Sequence, residues 1–224
     1  HRHLVHDTLT KYVILSITEI VVIVSKLKSD NRIDDPKRAR ILEGAKQVFL
    51  AYGYSRTTMD DIARAVDMSR PALYLLFRNK ADIFRAVGQL FLDQSRRGAG
   101  GALRQEGPLE ARLMEALDRA LFSLFRTMEA SPHGQEIIDM ENRIAADILA
   151  EWRQGLIDAF AGAIGEEARR RDVSLEERGL SAQVLAEMLF NVLEGLKIHG
   201  LCGTHAEPRA RQFVTLLELS LSRK

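Results

Sequence analysis

Few residues of this 224-residue chain are spaced for covalent chemistry. His133, Glu136, Asp139 and Glu141 cluster around a helix start, but they form neither a nucleophile–base pairing nor an H-E-x-x-H run, and no glycine-rich phosphate loop occurs. His199, Cys202 and His205 make an H-x-x-C-x-x-H run that supplies only three ligands at a helix end. No enzymatic activity, no metal and no cofactor are therefore expected. What the chain does offer is chemistry for a polyanion. Arg70 carries a planar fork of donors that suits guanine O6 and N7 or a phosphate, and Tyr74 follows one turn later on the same side of a helix. Thr57, Thr58 and the amides of the helix they open suit phosphate oxygens, as does Lys80 at the start of a later helix.

The elements that must position these residues are legible from periodicity and capping. From Pro36, the apolar residues Ile41, Leu42, Ala45, Val48, Phe49 and Tyr52 recur on one helical face, and Gly53 supplies the stop. Thr58 with Asp61 three residues on predicts a capping box for a second helix that buries Ile62, Ala63 and Val66. Asp67-Met68 is then the whole connector, because Ser69 is itself an N-cap and Pro71 is tolerated in the first turn of a third helix. Leu73 and Phe77 carry the apolar face of that helix. Asn79, with Asp82 at the reciprocal position, caps a fourth helix with Ile83, Phe84, Val87, Leu90 and Phe91 inside. Two short helices joined so tightly after a longer one predict a helix-turn-helix, whose third helix presents its N-terminal residues to a major groove.

Composition agrees. The chain is 46% apolar and 28% charged, with a formal net charge of +1 and the lone Cys202, which excludes disorder, a disulfide scaffold and a cysteine-only zinc site. The small net charge hides a segregation. Residues 35–97 carry 12 Lys/Arg against 7 Asp/Glu, whereas 98–224 carry 15 against 20. A basic module precedes an acidic one, and Gly98-Ala-Gly-Gly101 marks the expected break between them. Beyond it the pattern is helical throughout: a helix over 109–128, one long helix or two over 135–171, and helices over 180–201 and 208–221.

The run from Arg40 to Val87 resembles the DNA-binding domain of tetracycline-repressor-like (TetR family) transcriptional regulators. It carries, in order, F-x-x-x-G-Y from Phe49, the Thr57-Thr58 pair, Ile62-Ala63 before the turn, S-R-P-A-L-Y over 69–74 and F-R-N-K over 77–80. Asp67 replaces the family's usual turn glycine, and Leu76 replaces a His or other polar residue. The resemblance implies an all-α fold, with an N-terminal three-helix helix-turn-helix domain joined to a larger helical effector-binding and dimerisation domain. The expected divisions are an N-terminal extension over 1–34, the DNA-binding domain with its linking fourth helix over 35–97, and the second domain over 98–224. The implied DNA contacts are Thr57, Thr58, Ser69, Arg70, Pro71, Ala72, Tyr74 and Lys80.

The family places an effector pocket inside the second domain. Phe122, Phe125, Met128, Met140, Trp152, Phe160 and Phe190 are candidate lining residues, with Arg143, Asn142 and His199 as polar contacts, although most apolar residues at such spacing are core. It also pairs the last two helices with a second copy. Val184, Met188, Val192, Gly195, Phe213, Leu216 and Leu217 are the candidate dimer interface, with simple core as the alternative. The expected function is a cytoplasmic homodimeric repressor, released from a double-stranded, pseudo-palindromic DNA operator by a small, largely apolar effector. An activator of the same fold, or a helical ligand-binding module without DNA binding, are the alternatives.

Residues 1–34 stand apart. Tyr12–Val24 is apolar and β-branched, but with 13 residues including Glu19 it is shorter than the roughly 20 that a membrane span needs. It also lacks a signal-peptide cleavage site. A cloning remnant, an over-extended reading frame and a functional N-terminal arm all fit.

Overall fold

The computed structural model describes residues 36–198 and 206–222; residues 1–34, His199, Cys202 and His205 lie outside the described residues, as do the side chains of Asn142 and of 196–198. The chain divides into two units, 1–40 and 41–224. The first is described only at 36–40, where α1 opens. Among the described residues every regular element is helical.

The unit 41–224 begins within α1 (Pro36–Tyr52), which ends at Gly53, whose φ of 78° only glycine adopts without cost. Next come α2 (Met59–Ala65) and α3 (Arg70–Tyr74). The expected capping box is present: Thr58 Oγ1 accepts from the Asp61 amide at 3.2 Å, and the Asp61 carboxylate accepts from the Thr58 amide at 2.9 Å. Asp67 takes a φ of 53° in the turn, the left-handed conformation that a carboxylate side chain tolerates better than most. Ser69 Oγ caps α3 through the Ala72 amide at 3.3 Å. α1 and the end of α2 approach so closely that a Cβ on Gly44 would lie 2.3 Å from Val66 Cγ1. The core of this head holds Ile41, Ala45, Phe49, Ile62, Leu73, Phe77 and Ile83. Edge-on packing of Phe84 against Phe49 and Tyr54, with centroids 5.2 and 4.9 Å apart, closes it.

α4 (Lys80–Leu103) corrects two expectations. It does not break at Gly98–Gly101, because Ala99, Ala102 and Leu103 are buried in the second core and their packing outweighs a glycine penalty of about 1 kcal/mol each. Asp82 also does not complete a reciprocal cap. Asn79 Oδ1 accepts from the Asp82 amide at 2.9 Å, but the Asp82 carboxylate turns to Arg78 Nε, also at 2.9 Å.

The remaining helices are α5 (Leu109–Leu117), a π-helical turn (Asp118–Phe122), α6 (Ser123–Glu129), α7 (Gly134–Ile144), α8 (Ala146–Arg170), a 3-10 turn (Glu176–Arg178), α9 (Ala182–Ile198) and α10 (Ala206–Ser220). The stretch expected as one helix over 109–128 therefore carries a π turn. The stretch over 135–171 is two helices, broken at Ala145. Arg85 explains that break: its Nη1 donates to the Ile144 carbonyl at 2.8 Å, satisfying an orphaned helix end, and its fork also grips Asp147 in the first turn of α8. Leu109, Leu113, Leu117, Leu156, Phe160 and Leu189 centre the second core. Beside it the buried Glu167 carboxylate is held by Arg112 at 3.1 Å, Arg170 at 2.5 Å and Arg171 at 2.6 Å. No described helix is long and apolar enough to cross a membrane.

Candidate nucleic-acid interface and effector cavity

The N-terminal turn of α3 is exposed. Ser69, Arg70, Pro71 and Tyr74 are open to solvent, with Ala72 partly so, and Leu73 alone turns into the core. The Arg70 guanidinium pairs with Asp60 of α2 at 3.0 Å and sits 5.5 Å from the Tyr74 ring centroid. Its fork is therefore held in place by a carboxylate on the preceding helix and by the ring one turn on. Asp60 has no signature in the sequence, because the pairing spans the turn. Leu75, 87% exposed at the end of α3, is a second residue that periodicity did not single out.

Two of the expected phosphate contacts are engaged elsewhere. Thr57 is buried, and its hydroxyl donates to the Gly53 carbonyl at 2.6 Å. Lys80 Nζ donates to the carbonyls of Tyr54 and Thr57 at 2.7 and 2.8 Å and reaches that of Ser55 at 3.3 Å. It also lies 4.4 Å from the Tyr54 ring centroid, and burial lowers its pKa. An ammonium has three donors, and here all three point at one loop. Both residues thus brace the segment that leads into α2, while Thr58 stays exposed at its cap.

α7 joins this head to a cavity. Ile137, Met140 and Ile144 pack into the head core, whereas Ile138 and Glu141 line the cavity. The Glu136 carboxylate accepts from the Ser55 amide at 2.7 Å, and this bond holds its pKa below the usual value. Just before α7, Ser131 Oγ donates to the Leu50 carbonyl at 2.7 Å. The cavity measures about 240 Å³ and lies among α4, the π turn, α6, α7, α8 and α9. Phe125, Met128, Trp152 and Phe190 line it as expected. Phe122 and Phe160 do not: both are fully buried, and Phe160 stacks edge-on to Phe190 at 5.6 Å. Met140 belongs to the head core and Arg143 is exposed away from the cavity, because the turn of α7 sets both off the lining face. The polar lining comes instead from Glu141, Arg153 and Glu194.

Residues 41–87 match the family model for bacterial regulatory proteins of the tetR family. The chain is a TetR-family transcriptional regulator. It is 29% identical over 165 residues to the HTH-type transcriptional repressor BepR of Brucella suis, covering 70% of this chain and 77% of that protein. It is 32% identical over 104 residues to the HTH-type transcriptional activator FasR of Mycolicibacterium smegmatis, 46% of each protein. The fold is similar to that of SmeT of Stenotrophomonas maltophilia in its complex with triclosan, with a TM-score of 0.52 at 18% identity over 83% of this chain and 90% of that one.

In this TetR-family chain α9 and α10 bury one face each and expose another. Val184 and Met188 of α9 and Leu216 of α10 are exposed, while Val192 and Phe213 are half-buried. Nothing lies near the Cβ position of Gly195. Leu217 departs from the expected set, being buried in this chain's own core, and Leu219, 63% exposed, takes its place on the outer face. The helical phase explains the exchange: Ala210, Val214 and Leu217 form the inner stripe of α10, and Leu216 and Leu219 the outer one.

Proposed function

We propose that the chain is a homodimeric repressor that grips a pseudo-palindromic operator through α3 of each subunit and lets go when a small, largely apolar molecule fills the cavity. In this reading residues 35–97 read DNA, and residues 98–224 sense the effector and pair with a second copy. Arg70 and Tyr74, with Ser69, Pro71 and Ala72 beside them, enter the major groove, and Thr58 with the first amides of α2 meets the backbone. Two such helices must fall about 34–36 Å apart to reach successive major grooves, which the two-fold pairing of α9 and α10 would set.

The observation that carries this reading is the double membership of α7. One face belongs to the head core and the other to the cavity wall, so a molecule that moves Ile138 and Glu141 also moves Ile137, Met140 and the Glu136–Ser55 bond. A ligand that fits only one placement of α7 shifts the population of head placements. The name of BepR as a repressor supports the direction of control, and the triclosan-bound SmeT supports a small apolar effector.

A gel shift with the DNA preceding the chain's own gene, run at moderate salt against competitor DNA, tests it. Retention of the specific band over competitor is expected, and an absence of sequence preference would overturn it. The similarity to FasR favours activation as a second reading. Transcription from that DNA, measured with and without the chain, separates the two: a repressor lowers it and an activator raises it.

A further inference from the structure

On the effector-responsive reading above, the cavity wall also indicates which chemical class of molecule it takes. Three aromatic rings, Phe125, Trp152 and Phe190, line it together with three charged residues, Glu141, Arg153 and Glu194. Arg153 is directed at its neighbours: Nε donates to Glu194 at 2.6 Å and Nη2 to Asn191 at 3.0 Å. The lining thus sets two carboxylates against one guanidinium. The indole N–H of Trp152 donates to Ser95 Oγ at 3.1 Å, and Ser95 in turn donates to the Ala120 carbonyl at 3.1 Å. The polar edge of the indole is therefore engaged, and its ring carbons are what it offers a ligand. Ring faces and carboxylates share a sign of potential, and both attract a cation.

Glu141 sits where this attraction can be transmitted. Its carboxylate lies against the bare backbone of Gly88 in α4, where an added Cβ would be 3.0 Å from Oε1. It also lines a smaller adjoining cavity of about 50 Å³ that reaches Phe49 and Phe84 of the head core. Lys46, the one cationic residue lining that smaller space, is held by Glu43 at 2.6 Å. A neutral apolar molecule entering beside Glu141 strips water from a carboxylate, which costs free energy, whereas an organic cation replaces that water with opposite charge. We propose that the effector is a hydrophobic organic cation, its apolar body among Phe125, Trp152 and Phe190 and its charge facing Glu141. The pull then falls on α7 and α4, the two helices that the cavity shares with the head.

Trp152 is the only tryptophan in the chain, so intrinsic emission reports on this cavity. The full chain is titrated with benzyltrimethylammonium, its neutral carbon isostere neopentylbenzene, and the anion 3-phenylpropionate. The expected result is saturable change with the cation, at an affinity about tenfold or more above that for the isostere. Glu141→Gln should bring that ratio towards one, with a circular-dichroism melt to verify folding. Should the variant not fold, the wild-type ratio decides. Binding of the isostere or the anion as tightly as the cation overturns the proposal and leaves the effector reading intact, as does an unchanged ratio in folded Glu141→Gln. If none of the three alters the emission or the affinity for DNA, the effector reading fails and the proposal with it. Cation binding that leaves DNA affinity unchanged retains the ligand class and overturns the regulatory role.

Discussion

Arg70 and Lys80 sit about one recognition element apart in the sequence, but their surroundings assign them different work. Arg70 is exposed and held by only Asp60 and Tyr74, partners that can be exchanged for a base edge. Arg70→Ala should reduce discrimination between the operator and a site with one changed base pair by about 1–3 kcal/mol, measured by competition gel shift. Lys80 donates to the loop before α2. Replacing it with Ala should destabilise the fold by about 1–2 kcal/mol in urea unfolding while leaving the salt dependence of DNA binding unchanged. A flattened salt slope in Lys80→Ala would return Lys80 to the phosphate role that its position in F-R-N-K suggests, since losing a phosphate contact reduces that slope by about one.

Among the elements, α7 carries the most consequence per residue. Its Glu136–Ser55 bond pins the loop between α1 and α2 to the cavity helix. In Glu136→Ala the Ser55 amide should exchange with deuterium at least several-fold faster, because a charge-assisted acceptor is removed. An unchanged exchange rate would show that α7 does not hold this loop. The junction of α7 and α8 is tied by Arg85, whose fork lowers the Asp147 pKa from 3.8 to about 2. The sign follows directly. A depressed carboxylate pKa contributes stability that is fully present above the unfolded value and is lost as pH falls through the folded one. The Arg85–Asp147 contribution should therefore be constant above about pH 5 and fade between about pH 4 and pH 2. Comparing acid-unfolding curves of the wild type and Asp147→Asn checks this: the two should differ above that window and converge within it.

At the scale of the whole molecule, the exposed residues Met188, Leu216 and Leu219 make an apolar strip on α9 and α10 that a lone chain leaves wet. Pairing with a second copy would cover it. Leu216→Glu should shift the chain from dimer to monomer in light scattering at micromolar concentration and weaken operator binding at least tenfold, because each half-site then binds alone. A wild-type chain that is already monomeric under those conditions would overturn the dimer. The cavity and the strip share α9: Phe190 and Leu193 point into the cavity, while Val184 and Met188 lie outside. Effector occupancy and subunit pairing are thereby placed on opposite faces of one helix.

Read alone, the residues from Phe49 to Lys80 determined the head, because its helix starts, stops and turn depend on neighbours within four positions: Thr58 with Asp61, Ser69 with Ala72, Gly53 with Phe49, and Asp67 at positive φ. Local capping and periodicity also showed that the remainder is helical. What only tertiary structure decided depends on distant partners. The glycines at 98–101 look like a break until α4 buries Ala99 and Ala102 against the second core. Ala145 looks like helix interior until Arg85, 59 residues before Ile144, captures its carbonyl. Phe122, Phe125 and Phe160 have the same residue type and nearly the same periodicity, and only the packing of α4 to α9 around the π turn decides which of them lines a cavity and which fills a core. Side-chain type fixes what a residue can bind; the direction in which distant helices aim it fixes whether it does.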